Sequence, residues 1–147
     1  GEEARAAAYT GCSDQRLRRP DLGKLEQDFA AYRARMNERV LAEDNRVIKR
    51  IYSVDSLAYG QEGALPKQTK ELLGLVASLV LRCDDCVSYH VAQCREAGVT
   101  RDEFFEAFSV GLVVGGSIVI PHLRRAVDFL DALESASAVA PSSHAHE

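Results

Sequence analysis

Apolar side chains recur every three or four residues over most of this chain, and that spacing constrains its fold more than any other feature. Residues 24–44 show the pattern most simply, with apolar side chains at steps of four, three, four and four residues: Leu25, Phe29, Tyr32, Met36 and Val40. Such steps return a side chain to the same face of an α-helix. No run alternates with the period of two that a half-buried strand requires, so the sequence predicts an all-α fold.

The ends of the predicted helices are marked by residues that favour helix termini. Pro66 suits the first turn of a helix, and Gly98 is a natural C-terminal cap. Thr100 and Glu103 have the spacing of a capping box, in which each side chain accepts from a backbone N–H of the other residue. We therefore expect about six helices, covering approximately residues 24–44, 45–58, 67–81, 86–97, 101–112 and 120–133.

Residues 23–134 are expected to form a single helical domain. The chain has 147 residues, of which 46% are hydrophobic, enough for one ordinary core. Residues 1–22 show no lasting period and are predicted to be loose, and residues 135–147 are small and polar and are predicted to be a flexible tail. On the first helix, the face away from the apolar stripe is expected to be solvated; it carries Arg33, Arg35, Asn37 and Glu38.

Charge and hydropathy argue against two classes of partner. The chain has 18 basic and 22 acidic residues and a net charge of -4, so it offers no positive field for nucleic acid. The longest stretch without a charged residue or histidine is the 15 residues 107–121, shorter than the roughly 20 that span a bilayer. Because the amino end also lacks the apolar run of a signal peptide, we expect a cytoplasmic protein without a membrane segment.

The residues most suggestive of chemistry surround a Cys-x-x-Cys pair. Cys83, Cys86, His90 and Cys94 follow one another at steps of three, four and four, so a helix would align them on one face. In a reducing compartment such a pair indicates redox catalysis or metal binding rather than a structural disulfide. We expect Cys94 to belong to the core, and Cys12, far from the others in sequence, to be an exposed thiol.

A carboxylate and an imidazole can support this pair if the chain reverses near Arg82. Glu71 then lies within about one helical turn, roughly 5.4 Å, of His90 on the next, antiparallel helix. The sequence therefore permits a relay from Glu71 to His90 to a cysteine thiol.

Thiol chemistry needs such a relay because the thiolate is the nucleophile, and a free thiol with a pKa near 8.5 is only about 3% thiolate at pH 7. Lowering the pKa of Cys86 by about two units corresponds to roughly 2.7 kcal/mol, which a histidine and a helix start can supply. Glu71 would hold the imidazole in one tautomer. Cys83, one turn before Cys86, is placed to attack an oxidised sulfur and close a disulfide.

The run Glu71-x11-Cys83-x2-Cys86-x3-His90 resembles the signature of the AhpD-like alkylhydroperoxidases, within the carboxymuconolactone decarboxylase family. The segment from Gly98 to Glu103, followed by Gly115-Gly116, is similar to what that family carries downstream, and the resemblance covers residues 45–134.

The resemblance implies an all-helical fold that assembles as homotrimers or hexamers. It further implies a thiol peroxidase that reduces organic hydroperoxides or hydrogen peroxide without a cofactor or metal and is recycled by an external dithiol reductant. By position in the motif, Cys86 would attack the peroxide and Cys83 would be its partner, while Glu71 and His90 would form the proton relay. Well-known members have a histidine before the second motif cysteine, whereas this chain has Asp85, and a carboxylate beside a thiol raises the thiol pKa.

Three other functions are compatible with the same residues. The cysteine pair could serve a disulfide reductase or an electron-passing adaptor, or it could belong to a non-catalytic, metal-binding oligomeric module. Acid–base chemistry of the decarboxylase kind, through His90 or His122, would not require the cysteines at all.

Overall fold

A computed structural model describes residues 22–60 and 63–139, and within these ranges the chain forms six α-helices and no strand. This confirms the predicted all-α class. The helices are α1 (Leu22–Leu41), α2 (Arg46–Gly60), α3 (Lys67–Val80), α4 (Asp84–Glu96), α5 (Arg101–Gly115) and α6 (Ile120–Val139), with a 3₁₀ turn at Ser117–Val119.

Helix α6 continues to Val139, so its last five residues occupy a segment for which a flexible tail was predicted. The predicted loose segment 1–22 lies, except for its last residue, outside the described residues, as do residues 140–147 of the predicted tail. Within the described ranges, no helix combines the length and apolar character needed to cross a membrane.

Two tight reversals bound α4, one after α3 and one before α5. After α3, Arg82 adopts a left-handed conformation with φ of 61°, and the backbone N–H of Cys83 donates to the carbonyl of Ser78 at 3.0 Å. After α4, Gly98 adopts the same left-handed conformation with φ of 84°, and the backbone N–H of Val99 donates to the carbonyl of Cys94 at 3.0 Å. Both are helix-ending motifs that satisfy otherwise unpaired carbonyls, so α3 and α4 run antiparallel as expected.

The predicted capping box opens α5. The backbone N–H of Thr100 donates to the Glu103 carboxylate at 2.7 Å, and Glu103 N–H donates to the Thr100 hydroxyl oxygen at 3.4 Å. These bonds lower the pKa of Glu103 below its ordinary value. The helix ends at the predicted break, where Gly116 takes a φ of 75° that other residues rarely adopt.

The core lies between α3, α4, α5 and α6, and its fully buried members include Leu75, Leu79, Val87, Val91, Phe104, Phe108 and Leu130. Helix α1 packs on α6, where the Phe29 and Phe129 rings meet edge to face at 5.6 Å. Helix α2 buries no residue completely; it lies beside the first half of α4, and its Tyr59 reaches Gly74 of α3. The first two helices are therefore additions to a four-helix core.

The pattern of α1 predicted its exposed face only in part. Tyr32, expected on the buried stripe, is 57% exposed. Arg33 and Asn37, expected in solvent, are half-buried and face the cysteine end of α4. That interpretation was wrong because the contact face of α1 is rotated from the predicted stripe: Phe29 contacts α6, and Arg33, four residues later on the same face, contacts Tyr89 of α4.

Candidate active site

A buried carboxylate–imidazole pair lies at the centre of the site. Glu71, in the second turn of α3, is 1% exposed, and its Oε2 lies 2.8 Å from Nδ1 of His90 on α4. The antiparallel packing of α3 and α4 brings the two residues together, as their spacing from Arg82 predicts. A carboxylate at Nδ1 keeps the proton there, which leaves Nε2 of His90 as the basic nitrogen.

The opposite edge of the His90 ring is held by Tyr59 of α2 and by the backbone of α3. The Tyr59 and His90 rings pack with centroids 5.2 Å apart. A Cβ at Gly74 would lie 2.5 Å from both His90 Cε1 and the Tyr59 hydroxyl oxygen. Only a residue without a side chain lets these two rings approach α3 so closely.

The cysteine pair occupies the start of α4. Cys83 is the N-cap residue, one position before the helix begins at Asp84, and Cys86 lies in the first turn. The helix therefore starts two residues earlier than predicted, and Cys83 precedes it instead of continuing its face. The two sulfurs are joined in a disulfide, with Cα atoms 5.2 Å apart.

A backbone N–H group at the start of α4 contacts the sulfur of Cys83. The N–H of Cys86 points to the Cys83 sulfur at 3.4 Å. In the reduced protein the same amide would favour a thiolate at Cys83, because helix N-termini stabilise negative charge.

A cleft of about 470 Å³ opens onto Cys86 and His90. Its walls come from α1, α2 and α4, and they combine apolar, aromatic and charged side chains: Arg33, Asn37, Ile51, Tyr52, Asp55, Ser56, Asp85, Cys86, Tyr89 and His90. Cys86 is exposed, whereas His90 is 7% exposed. A small molecule in this cleft would therefore meet the Cys86 sulfur with the imidazole behind it.

Two tyrosines beside His90 are held in their protonated form. Burial raises the pKa of Tyr59, and the nearby carboxylates of Glu71 and Asp55 raise it further. Burial also raises the pKa of Tyr89, against the opposing effect of Arg33, whose guanidinium carbon lies 3.7 Å from the centre of the Tyr89 ring. Both phenols are therefore hydrogen-bond donors at neutral pH.

The residue between Cys83 and Asp85 is anchored to the last helix. Asp84 Oδ1 accepts from Nδ1 of His122 at 2.8 Å, and Asp84 Oδ2 accepts from Nε of Arg125 at 2.9 Å. Although burial acts in the opposite direction, these bonds lower the pKa of Asp84 below its ordinary value. His122 therefore serves the start of α4 and does not line the cleft.

Of the two other cysteines the structure describes one, Cys94, and it does not join the site. Cys94 is fully buried, as predicted, and burial together with the Glu71 carboxylate raises the pKa of its thiol to about 12. Cys12 lies outside the described residues. Among the residues that are described, no three His, Cys, Asp or Glu side chains converge in a way that could hold a metal ion.

Three contributors to the site were missed by sequence reasoning: Arg33, Tyr59 and Gly74. A glycine in the middle of an apolar helix is a usable signal, because it weakens the helix unless another group needs the space. Arg33 and Tyr59 gave no such signal, since their positions depend on how α1 and α2 cross α4.

A family model matches residues 47–129, and its description is the carboxymuconolactone decarboxylase family. The chain belongs to this family. Two curated relatives, uncharacterized proteins from Cupriavidus necator and from the cox locus of Paracoccus denitrificans, are each 31% identical over 75 residues, which is 51% of this chain. The match covers 66% and 68% of those proteins, so the chain spans about two thirds of their length.

Solved structures of family members share the fold. Two crystal structures of a Thermotoga maritima protein are 49% and 50% identical to this chain, with TM-scores of 0.75 and 0.72. The first match covers 78% of this chain and 99% of the solved chain, and the second covers 76% and 93%. A role in the antioxidative response has been suggested for that protein. An apo family protein from Legionella pneumophila shares the fold with a TM-score of 0.58 and 24% identity. That match covers 79% of this chain and 96% of the solved chain.

Proposed function

We propose that this protein is a thiol peroxidase that reduces organic hydroperoxides or hydrogen peroxide through Cys86 and Cys83. One observation carries the proposal: His90, whose Nδ1 lies 2.8 Å from the buried Glu71 carboxylate, lines the same cleft as an exposed Cys86 that is bonded to Cys83. The suggested antioxidative role of the Thermotoga maritima relative agrees with it.

In the first step the Cys86 thiol gives its proton to His90, the base that Glu71 orients, and the Glu71 carboxylate stabilises the resulting imidazolium. The thiolate attacks one peroxide oxygen, the O–O bond breaks, and the departing alkoxide or hydroxide takes the proton from His90. Cys86 becomes a sulfenic acid, and the peroxide leaves as an alcohol or as water.

The second step forms the disulfide seen in the structure. The Cys83 thiol gives up its proton, its thiolate, favoured by the Cys86 amide, attacks the Cys86 sulfur, and the sulfenic hydroxyl takes up that proton and leaves as water. An external dithiol then reduces the disulfide by two exchange reactions and becomes a disulfide itself. We place the reaction in a reducing compartment such as the cytoplasm, where dithiol reductants are supplied.

We further propose that copies of the chain associate into a homo-oligomer. An open groove of about 570 Å³ between α3 and α5 is lined almost only by apolar side chains, among them Leu72, Leu73, Val76, Leu81 and Val114. Leu81 is 76% exposed and Val114 68%. A contiguous apolar surface of this kind is typical of a protein–protein contact.

The test mixes pre-reduced protein with one equivalent of cumene hydroperoxide or hydrogen peroxide and follows thiol loss by stopped flow. Peptide mass spectrometry identifies the product. We expect a Cys83–Cys86 disulfide to form at least about a hundredfold faster than glutathione reacts under the same conditions, the scale of acid–base assistance. Cys86→Ser should abolish the reaction, whereas Cys12→Ser, which removes a cysteine outside the motif, should leave it unchanged.

A Cys83→Ser variant separates the two steps, because its Cys86 sulfenic acid should persist and react with dimedone. Oxidation of the parent no faster than glutathione would overturn the peroxidase proposal. Rapid oxidation by small disulfides but not by peroxides would instead identify a disulfide reductase or an electron-passing adaptor that uses the same exposed Cys86.

A further inference from the structure

The charges around Cys86 do not favour a thiolate. Asp85 adjoins Cys86 in sequence, and Asp55 of α2 lines the same cleft; among the described residues neither carboxylate has an ion-pair partner. The other nearby carboxylates are paired, Glu71 with His90, and Asp84 with His122 and Arg125. Two carboxylates without an ion-pair partner among the described residues therefore lie in the same cleft as Cys86, and negative charge near a thiol raises the free energy of its ionised form.

One permanent cation lines this cleft within the described part of the chain, the guanidinium of Arg33. It lies over the ring of Tyr89, which is one turn after Cys86 on α4 and itself packs edge to face against His90. This stacking holds the guanidinium between α1 and α4 although it has no carboxylate partner.

Arg33 also lies outside the part of the chain that the family model matches, which begins at residue 47. The first helix, which packs on the outside of the α3–α6 core through α6, brings this cation to the cleft of Cys86. It thus supplies positive charge to a site where Asp85 supplies negative charge.

We propose that Arg33 is a positioning residue that stabilises the Cys86 thiolate by offsetting Asp55 and Asp85, with Tyr89 as its support. The inference rests on the proposed thiol chemistry of Cys86. It assigns a function to α1, which carries the positive charge that offsets the negative charge of Asp85.

The experiment measures the pH dependence of iodoacetamide labelling at Cys86 in the reduced full-length protein, with peptide mass spectrometry to resolve the site. The variants are Arg33→Gln and Arg33→Lys, with Arg35→Gln as the matched control, because Arg35 is an exposed arginine on the same helix and does not line the cleft. Circular dichroism and urea unfolding verify that each variant is folded.

For Arg33→Gln we expect the labelling midpoint to rise by half a pH unit or more, and labelling at pH 7 to fall about threefold. Arg33→Lys keeps the charge, so its labelling midpoint should stay close to that of the parent. The midpoint of Arg35→Gln should equal that of the parent. Asp85→Asn should move the midpoint the other way. Because screening weakens charge interactions, 1 M KCl should reduce the difference between Arg33→Gln and the parent.

Equal midpoints for Arg33→Gln and the parent would overturn the inference. So would a shift of equal size in Arg33→Lys and Arg33→Gln, since that result would mean that Arg33 acts through packing on Tyr89 and not through charge. The labelling midpoint needs no peroxide, so this inference can fail while the peroxidase proposal holds, and the reverse is also possible.

Discussion

Gly74 occupies the middle of α3, where a glycine ordinarily weakens a helix by about 0.5–1 kcal/mol relative to alanine. The structure explains its presence, because the Tyr59 hydroxyl and the edge of His90 occupy the space where a side chain would begin. At the residue scale, the candidate site thus depends on the absence of one methyl group as much as on the presence of its titratable side chains.

Gly74→Ala should therefore lower stability, although helix propensity alone predicts a gain. We expect a loss of about 1–3 kcal/mol in the free energy of unfolding, the usual cost of overpacking, and slower oxidation of Cys86 because His90 must move. Urea unfolding and the stopped-flow assay measure the two effects. Gly60→Ala is the control, since a Cβ there meets nothing within 4 Å and should be tolerated. Unchanged or improved stability of Gly74→Ala would contradict the packing described.

Cys94 is expected to be unreactive in the native protein. Its thiol is fully buried, and the raised pKa, about 12, leaves almost no thiolate at pH 8. Iodoacetamide treatment of reduced native protein at pH 8, followed by peptide mass spectrometry, should modify Cys83 and Cys86 but not Cys94. In urea all three should be labelled, and labelling of Cys94 at the rate of Cys86 in the native protein would be the contrary result.

At the scale of the helices, α4 is fixed at both ends by different means. Gly98 ends it through a local backbone motif, whereas its start depends on a contact across the molecule, from Asp84 to His122 and Arg125 of α6. The Cys-x-x-Cys turn is thereby tied to the last of the described helices, 38 residues away in sequence.

The contact of Asp84 with His122 and Arg125 should make the free energy of unfolding decrease at low pH. The pKa of Asp84 is lower in the folded protein than its ordinary value of 3.8. The contribution of Asp84 to the free energy of unfolding is therefore complete above the ordinary pKa and is lost as the pH falls through the folded pKa. Asp84→Asn should lower the urea midpoint at pH 7 and show a smaller further decrease between pH 5 and pH 3 than the parent. Asp102→Asn, an exposed carboxylate in the first turn of α5, should follow the parent profile. Parallel profiles for Asp84→Asn and the parent would show that the contact does not stabilise the fold.

For the molecule as a whole, the distribution of apolar surface is uneven. The α3–α6 core is complete within one chain, yet the apolar groove between α3 and α5 remains open to solvent. The candidate active site opens elsewhere, onto α1 and α2, so association through the groove leaves the cleft accessible.

Val114→Asp and Leu73→Asp should shift sedimentation velocity profiles toward the monomer, because each places a charge in the apolar groove. Val47→Asp is the control: Val47 is equally exposed, at 72%, but lies on α2 away from the groove. A parent that sediments as a monomer, or groove variants that assemble like the parent, would contradict this proposal.

The sequence by itself predicted the elements and the central pair of the site, because both depend on local spacing. Three- and four-residue steps define helix faces, Gly98 and the Thr100–Glu103 box define helix ends, and a reversal near Arg82 is sufficient to bring Glu71 to His90. For these features, neighbours in space are within about twenty residues in sequence.

Tertiary structure alone decided which residues surround that pair. Arg33 reaches Tyr89 and Tyr59 reaches His90 because α1 and α2 pack beside α4, and His122 reaches Asp84 because α6 folds back over 38 residues. Helix periodicity specifies which side chains share a face but not which neighbour that face meets. That choice depends on packing between helices, and it turned an arginine expected in solvent into the one permanent cation lining the described cleft.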